Sequence, residues 1–229
     1  MNSIAENLDH ILGRINLAVQ RAGRSPGSVK LVAVSKGKPA SLTREAFEAG
    51  HLVFGENYLQ EAEEKIAQLG KGPSWHFIGH LQSNKAGAAA RLFDCIETID
   101  RLKLAQALEK QLARLERKIA VLVQVNVGRE PQKSGILPEE AEKLLRALQD
   151  FSHLEVRGLM TIPPYFPEPE KTRPYFRELK GLAVLLEEKG LLGRRYPTEL
   201  SMGMSDDFEV AIEEGATLVR VGTALFGAR

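Results

Sequence analysis

Residues 29–39 read Val-Lys-Leu-Val-Ala-Val-Ser-Lys-Gly-Lys-Pro. The first half, with Leu31, Val32, Ala33 and Val34, is a run of apolar, β-prone residues. It stops abruptly at Ser35-Lys36-Gly37-Lys38-Pro39. A buried strand that ends this way puts the Lys36 amine at the rim of a core. Apolar walls and a second amine two residues on both oppose its protonation, which is how a lysine becomes nucleophilic enough for a Schiff base. The same residues also suit two solvated loop lysines after a core strand, so the rest of the chain has to choose.

Working outward, strands and helices alternate. Residues 3–22 read as an amphipathic helix, opened by a Ser3/Glu6 capping box and carrying Ile4, Leu8, Leu12, Ile15 and Val19 on one face. The strand at 30–35 follows. Further strands are expected at Leu52–Phe54, Trp75–Ile78, Phe93–Ile96, Ile119–Val125, Leu154–Arg157, Glu199–Leu200 and Thr217–Val221. Helical patterns fall at about 40–49, 58–68, from Asn84, 101–116, 138–148, 170–189 and 206–214. Each strand but the last is followed by a helix. Strict β-then-α alternation implies a parallel sheet, and eight units in 229 residues predict an α/β TIM barrel with an extra N-terminal helix. A doubly wound open sheet is the rival. It would offer a Gly-rich phosphate turn, and neither GxGxxG nor GxxxxGK[ST] occurs. No composition break divides residues 1–229, so one domain is expected.

Composition narrows the function. Hydrophobic residues make up 43% and charged residues 27%, enough for a real core. A net charge of +1 lacks the basic footprint of a nucleic-acid binder. The single cysteine, Cys95, excludes an intramolecular disulfide and a zinc site built from cysteines. No signal-type N-terminus and no run near the roughly 18 apolar residues of a membrane span is present, so a cytoplasmic protein is expected. His76 and His80 are four apart, but the segment opens as a strand and contains Gly79. A helical zinc pair is therefore unsupported, and His76 reads as a sheet or core histidine.

The chemistry of a TIM barrel sits at the C-terminal ends of its strands. After the seventh strand come Ser201-Met202-Gly203-Met204-Ser205-Asp206, and after the eighth Gly222-Thr223. Glycines for close approach and hydroxyl donors suit a phosphate, while Ser205-Asp206 could equally cap the next helix. A rim lysine facing such a cradle suggests pyridoxal 5′-phosphate (PLP), joined to Lys36 as an aldimine. Arg220 is then a candidate partner for the pyridine nitrogen. The alternative for Arg220 is an ion pair with an inward acid such as Glu199.

These residues carry a resemblance. The stretches VAVSKGKP (32–39), FGENYLQE (54–61), WHFIGHLQSNK (75–85), VNVGREPQKSGI (125–136), GLMTI (158–162), LSMGMSDDFEVAI (200–212) and RVGTALFG (220–227) resemble the YggS/PROSC family of pyridoxal-phosphate homeostasis proteins. That family is similar to the barrel domain of alanine racemase without its second domain. The resemblance implies Lys36 as the Schiff-base lysine. It implies phosphate contacts from Ser201, Gly222 and Thr223, Arg220 near the pyridine nitrogen, and Asn57, His80 and Met160 lining the pocket. One departure is Gly37, where the family more often has Thr. It is expected to loosen the backbone after Lys36 by about 0.5–1 kcal/mol.

Two functional classes follow. A PLP-dependent amino-acid racemase needs two bases on opposite faces of its substrate, and the racemase draws a tyrosine from its second domain. Here the chain ends at Arg229, and only Tyr58 and Tyr165 of its tyrosines fall near strand ends. An arginine beside the pyridine nitrogen would also leave that nitrogen unprotonated and the ring a weaker electron sink. The expectation is instead a non-catalytic, monomeric PLP binder that holds the cofactor reversibly and serves intracellular PLP homeostasis, handing it transiently to apo-enzymes. Lys38, Lys85 and Lys133 are spare amines near the same rim, either transfer sites or surface charges. The proline-rich stretch Thr161–Pro169 reads as a stiff loop over the rim.

Overall fold

The computed structural model describes residues 3–70 and 72–228. Met1, Asn2, Lys71 and Arg229 of the expected single domain lie outside these described residues. Eight parallel strands close into a barrel in sequential order, the TIM-barrel arrangement that the alternation predicts. They are β1 (Lys30–Val34), β2 (Val53–Glu56), β3 (Ser74–Phe77), β4 (Cys95–Ile99), β5 (Ile119–Gln124), β6 (Leu154–Met160), β7 (Glu199–Ser201) and β8 (Leu218–Val221). The closing seam pairs β1 with β8, Val32 opposite Arg220.

Eight of the helices follow the strands: α2 (Ala40–Glu48), α3 (Leu59–Leu69), α4 (Ala86–Leu92), α5 (Leu102–Arg114), α6 (Ala141–Leu148), α7 (Arg173–Glu188), α8 (Phe208–Glu213) and α9 (Thr223–Phe226). The extra helix α1 (Ile4–Arg21) precedes β1, and its capping box forms as expected: Glu6 N–H donates to Ser3 Oγ and Ser3 N–H to Glu6 Oε2. Its buried stripe is Ile4, Leu8, Ile11, Ile15, Ala18 and Val19. Leu12 stays exposed, because 3.6-residue spacing carries the stripe through Ile11 instead. Arg14 and Arg21 bind Glu209 and Glu213, tying α1 to α8 beside the closing seam.

Apart from shifts of a few residues at other element ends, three departures from the periodicity reading have a physical cause that bears on the site. Phe93 closes α4, and β4 instead runs on through Glu97 and Thr98, which are buried inside the protein. Polar residues in a buried strand hide it from any apolar-run criterion. The strand β6 continues to Met160 rather than stopping at Arg157. An extra residue accompanies that change: the β5–β6 register moves from Val121↔Val156 to Leu122↔Gly158. Finally, β8 is followed by a helical turn, α9, that apolar spacing alone does not announce.

Strand alternation decides what enters the barrel. Residues 30, 32, 34 and 36 share the inward face of the first unit, so Lys36 continues the line of Val32 and Val34. Val32, Leu122, Met160 and Leu218 form an apolar layer inside the barrel, with Val53 and Ile162 against it. The larger core lies between the barrel and its helices.

Candidate functional site

At the C-terminal mouth the structure has a cavity of about 400 Å³, lined by Val34, Lys36, Asn57, Ile78, Ile162, Met204, Ser205, Asp206, Arg220, Gly222 and Thr223. Its volume falls in the range of small-molecule sites, and its lining mixes apolar walls with a few convergent polar groups. Six strand ends and the loops after them build it, those of β1, β2, β3, β6, β7 and β8, as the barrel geometry requires.

Lys36 is half-buried, one residue past the buried Ser35. The backbone around it is held from the helix side. Ser35 Oγ donates to Glu56 Oε1 (2.6 Å), Lys65 Nζ donates to the Ser35 carbonyl (2.7 Å), and Gly37 N–H donates to Glu61 Oε2 (2.7 Å). Gly37 has φ 69°, in the left-handed region that glycine enters freely. The glycine at this position therefore fits a bonded turn of left-handed backbone. Burial pushes the Glu56 carboxyl up, outweighing the opposing pull of Lys65 and Ser35.

Arg220 lies at the cavity floor and is almost fully buried. Its Nη1 donates to Ser201 Oγ (2.5 Å) and its Nη2 to the Thr161 carbonyl (2.7 Å). The acid nearest to it is Glu97, with Oε2 at 4.0 Å, and not Glu199, which pairs with Lys30 at 4.0 Å. Burial draws the guanidinium below its ordinary value despite Glu97 and Asp207. Ser201 is fully buried, and its hydroxyl donates to Glu97 Oε2 (2.5 Å). It therefore lies below the cavity lining, inside the barrel, and is absent from the loop cradle where Ser205, Gly222 and Thr223 line the mouth.

Two other expected lining residues are elsewhere. His80 is exposed, its Nδ1 at 3.2 Å from Ser134 Oγ and 3.7 Å from Asp100 Oδ2. Met160 is fully buried within β6, in the apolar layer beneath Ile162, because the strand extends past Arg157. The structure thus brings Lys36, Asn57, Arg220, Gly222 and Thr223 together at one cavity and leaves Ser201 and Met160 under it and His80 outside it. Lys38 Nζ donates to the Ala228 carbonyl, Lys133 Nζ donates to the Pro163 carbonyl and pairs with Glu130, and Lys85 is exposed; none of the three lines the cavity. The N-cap position of α8 is Asp207, not Ser205-Asp206, and its side chain caps no helix N–H; its Oδ1 instead accepts from Met204 N–H within the loop at 2.7 Å. Ser205, read from the sequence as a hydroxyl donor of the phosphate loop, does line the cavity, and Ile162 and Met204 join it without a motif of their own; their loop positions after β6 and β7 are the signal that finds them.

The residues fit PLP on three observations. Asn57 Oδ1 is buried and has no hydrogen-bond partner among the described residues, an unmet acceptor at the cavity. A Cβ at Gly222 would come 3.1 Å from the Val34 carbonyl, so glycine there lets the ends of β1 and β8 meet. Arg220 presents a planar donor group that is already held on its inner side.

Glu97 sits at the centre of a second, interior group. Its Oε1 accepts from His76 Nδ1 (2.7 Å), and the Cys95 side chain lies on the same inward face two residues before it. The ligand atoms of His76, Cys95 and Glu97 lie within 4.8 Å of one another. Both Glu97 oxygens are nevertheless engaged, by His76 and Ser201, so the group is satisfied without an ion. Burial pulls the His76 imidazole down, but the Cys95 sulfur and the Glu97 carboxylate outweigh it and hold it well above its ordinary value. Burial likewise pushes Glu97 up, and His76, Arg220 and Ser201 outweigh it and hold it low.

Known proteins share this architecture along the whole chain. The family described as "Alanine racemase, N-terminal domain" matches residues 7–229. A Pseudomonas aeruginosa protein named "Pyridoxal phosphate homeostasis protein" is 48% identical, covering 100% of this chain and 97% of its own. An Escherichia coli protein of the same name is 47% identical, covering 100% and 98%. The solved structure of PipY from Synechococcus elongatus with PLP bound superposes with a TM-score of 0.83 at 39% identity, covering 98% of this chain and 100% of PipY. No helix among the described residues is long and apolar enough to cross a membrane.

Proposed function

The chain belongs to the family of pyridoxal phosphate homeostasis proteins, built on the alanine racemase N-terminal domain, and on that premise we propose that it binds PLP reversibly through Lys36 and acts as a carrier, not a committed enzyme. The observation that carries this reading is the meeting of Lys36, Asn57, Arg220, Gly222 and Thr223 at one cavity. When bound, PLP supplies an aldehyde that condenses reversibly with a primary amine.

Lys36 offers that amine, on a backbone clamped by Ser35, Glu56, Glu61 and Lys65. Arg220 offers donors from the floor. A guanidinium donates and does not accept, so it holds an acceptor without giving up a proton. Ser205 and Thr223 offer hydroxyls at the mouth, beside Gly222. Val34, Ile78, Ile162 and Met204 keep water from the walls.

The carrier reading is supported over the racemase by the tyrosines. Tyr58 and Tyr165 are 56% and 74% exposed, and neither lines the Lys36 cavity. Tyr165 belongs to the rim loop, where Phe166 stacks on Tyr175 with centroids 5.9 Å apart. The protein works as a single-domain monomer in the cytoplasm and passes PLP to apo-enzymes by transient contact. Borohydride reduction of the PLP-loaded protein, followed by mass spectrometry, tests the tether: the label belongs on Lys36, and a label elsewhere overturns the assignment. Incubation with L- and D-alanine tests the class, since racemisation at enzymatic rates would reject the carrier.

A further inference from the structure

Glu97 was not singled out by any motif, yet it stands where β3, β4, β7 and β8 face one another inside the barrel. A continuous chain of hydrogen bonds passes through it. His76 Nδ1 donates to Glu97 Oε1 (2.7 Å), Ser201 Oγ donates to Glu97 Oε2 (2.5 Å), and Arg220 Nη1 donates to Ser201 Oγ (2.5 Å). Cys95, His76 and the N-terminal strand ends line a cavity of about 390 Å³ at the opposite mouth. The chain therefore links the two mouths of the barrel, ending on Arg220 at the floor of the Lys36 cavity.

The direction of each bond follows from chemistry. A carboxylate only accepts, so Glu97 claims the single Ser201 proton. That commitment turns the Ser201 lone pairs toward Arg220, whose guanidinium only donates. Arg220 is almost fully buried, and its two bonds here go to neutral oxygens of Ser201 and Thr161. A buried guanidinium needs a counter-charge, and Glu97 lies 4.0 Å away. His76 in turn fixes which way the Glu97 carboxylate faces.

We propose that Glu97, oriented by His76, is a positioning residue that holds Arg220 through Ser201 and so sets how the cavity floor grips the pyridine ring of PLP. The proposal rests on the carrier reading and names a determinant of that same site. Glu97 acts on the ring side of the ligand, not on its phosphate. Pyridoxal, which has the ring and aldehyde but no phosphate, therefore separates the two ends of the site.

The test uses the full-length protein, wild type, Glu97→Gln and Ser201→Ala, each titrated with PLP and with pyridoxal and followed by absorbance. Glu97→Gln should weaken both ligands by the same factor, about tenfold, the loss of one charge-supported hydrogen bond. It should also move the absorption maximum of the bound ligand, which a purely structural role would leave in place. Ser201→Ala removes the link while keeping both charges, and should shift the maximum in the same direction; it keeps the test decisive where Glu97→Gln does not fold. Wild-type affinity and an unmoved maximum in the folded variants overturn the proposal, as does a loss seen with PLP but not with pyridoxal. Wild-type protein that binds neither ligand would overturn the carrier reading and this proposal with it, whereas wild-type binding with labelled Lys36 and an indifferent Glu97 overturns this proposal alone.

Discussion

Lys65 Nζ lies 2.6 Å from Glu56 Oε1, an ion pair whose side chains are 4% and 0% exposed, and the same ammonium reaches the carbonyl of Ser35, the residue before Lys36. A lysine at a buried helix position is thus spent on holding the strand end that carries the candidate tether. Removing one partner of such a pair leaves a buried charge uncompensated. Lys65→Met should destabilise the protein by about 3–5 kcal/mol, and adding Glu56→Gln should recover part of that loss. Urea unfolding of the single and double variants measures it; a double variant no more stable than Lys65→Met would mean the pair is not coupled.

Asn57 gives the opposite signature. Its Oδ1 is buried at the cavity without a partner among the described residues. Asn57→Ala removes no hydrogen bond that this oxygen makes within the protein, so unfolding midpoints should stay near wild type. PLP binding should weaken by up to about tenfold, the worth of one hydrogen bond of 0.5–1.5 kcal/mol. Fluorescence titration beside thermal melting separates the two, and unchanged affinity would remove Asn57 from the site.

Gly203 holds the loop after β7 close to α8. Its φ is 92°, and a Cβ there would meet Ala211 Cβ at 2.6 Å and Phe208 Cα at 2.9 Å. Gly203→Ala therefore combines backbone strain with overpacking, and should cost about 2–4 kcal/mol. Because Met204 and Ser205 line the cavity, PLP affinity should fall with it. A variant as stable as wild type would show that the loop can move off α8 freely.

The His76–Glu97 pair predicts a pH window. His76 is held above its unfolded value of about 6.5, so its contribution is full below that pH and fades as pH rises through the folded value. Glu97 is held below its unfolded value of about 4.3, so its contribution is full above that pH and fades as pH falls through the folded value. The groups facing the pair are Cys95, Ser201 and Arg220. The stability difference between wild type and Glu97→Gln should then be greatest between about pH 4.3 and 6.5 and shrink on both sides. Urea midpoints from acid to alkaline pH check it, and a difference that does not vary with pH rules the linkage out.

Local patterning in the sequence determined a great deal. Alternating strand and helix periods count out eight β/α units, because each strand must bury its faces and each helix one stripe. The apolar run 31–34 ending in Lys36 places that amine at a strand's C-terminal end, and residues 30, 32, 34 and 36 share a face by the two-residue period alone. Gly222 and Thr223 follow β8 by adjacency, and Asn57 follows β2 in the same way. Closure of the barrel decided the rest. Which inward residues meet across the interior depends on strand tilt and stagger, which no single strand encodes. Ser201 and Glu97, 104 residues apart, bond directly only because β4 and β7 face each other inside the closed sheet. The same closure buries Met160 in β6, leaves His80 outside the cavity, and replaces Glu199 by Glu97 as the carboxylate nearest Arg220. Polar residues inside a strand carry no apolar signal, so the buried chain from His76 to Arg220 becomes visible only once the strands are joined.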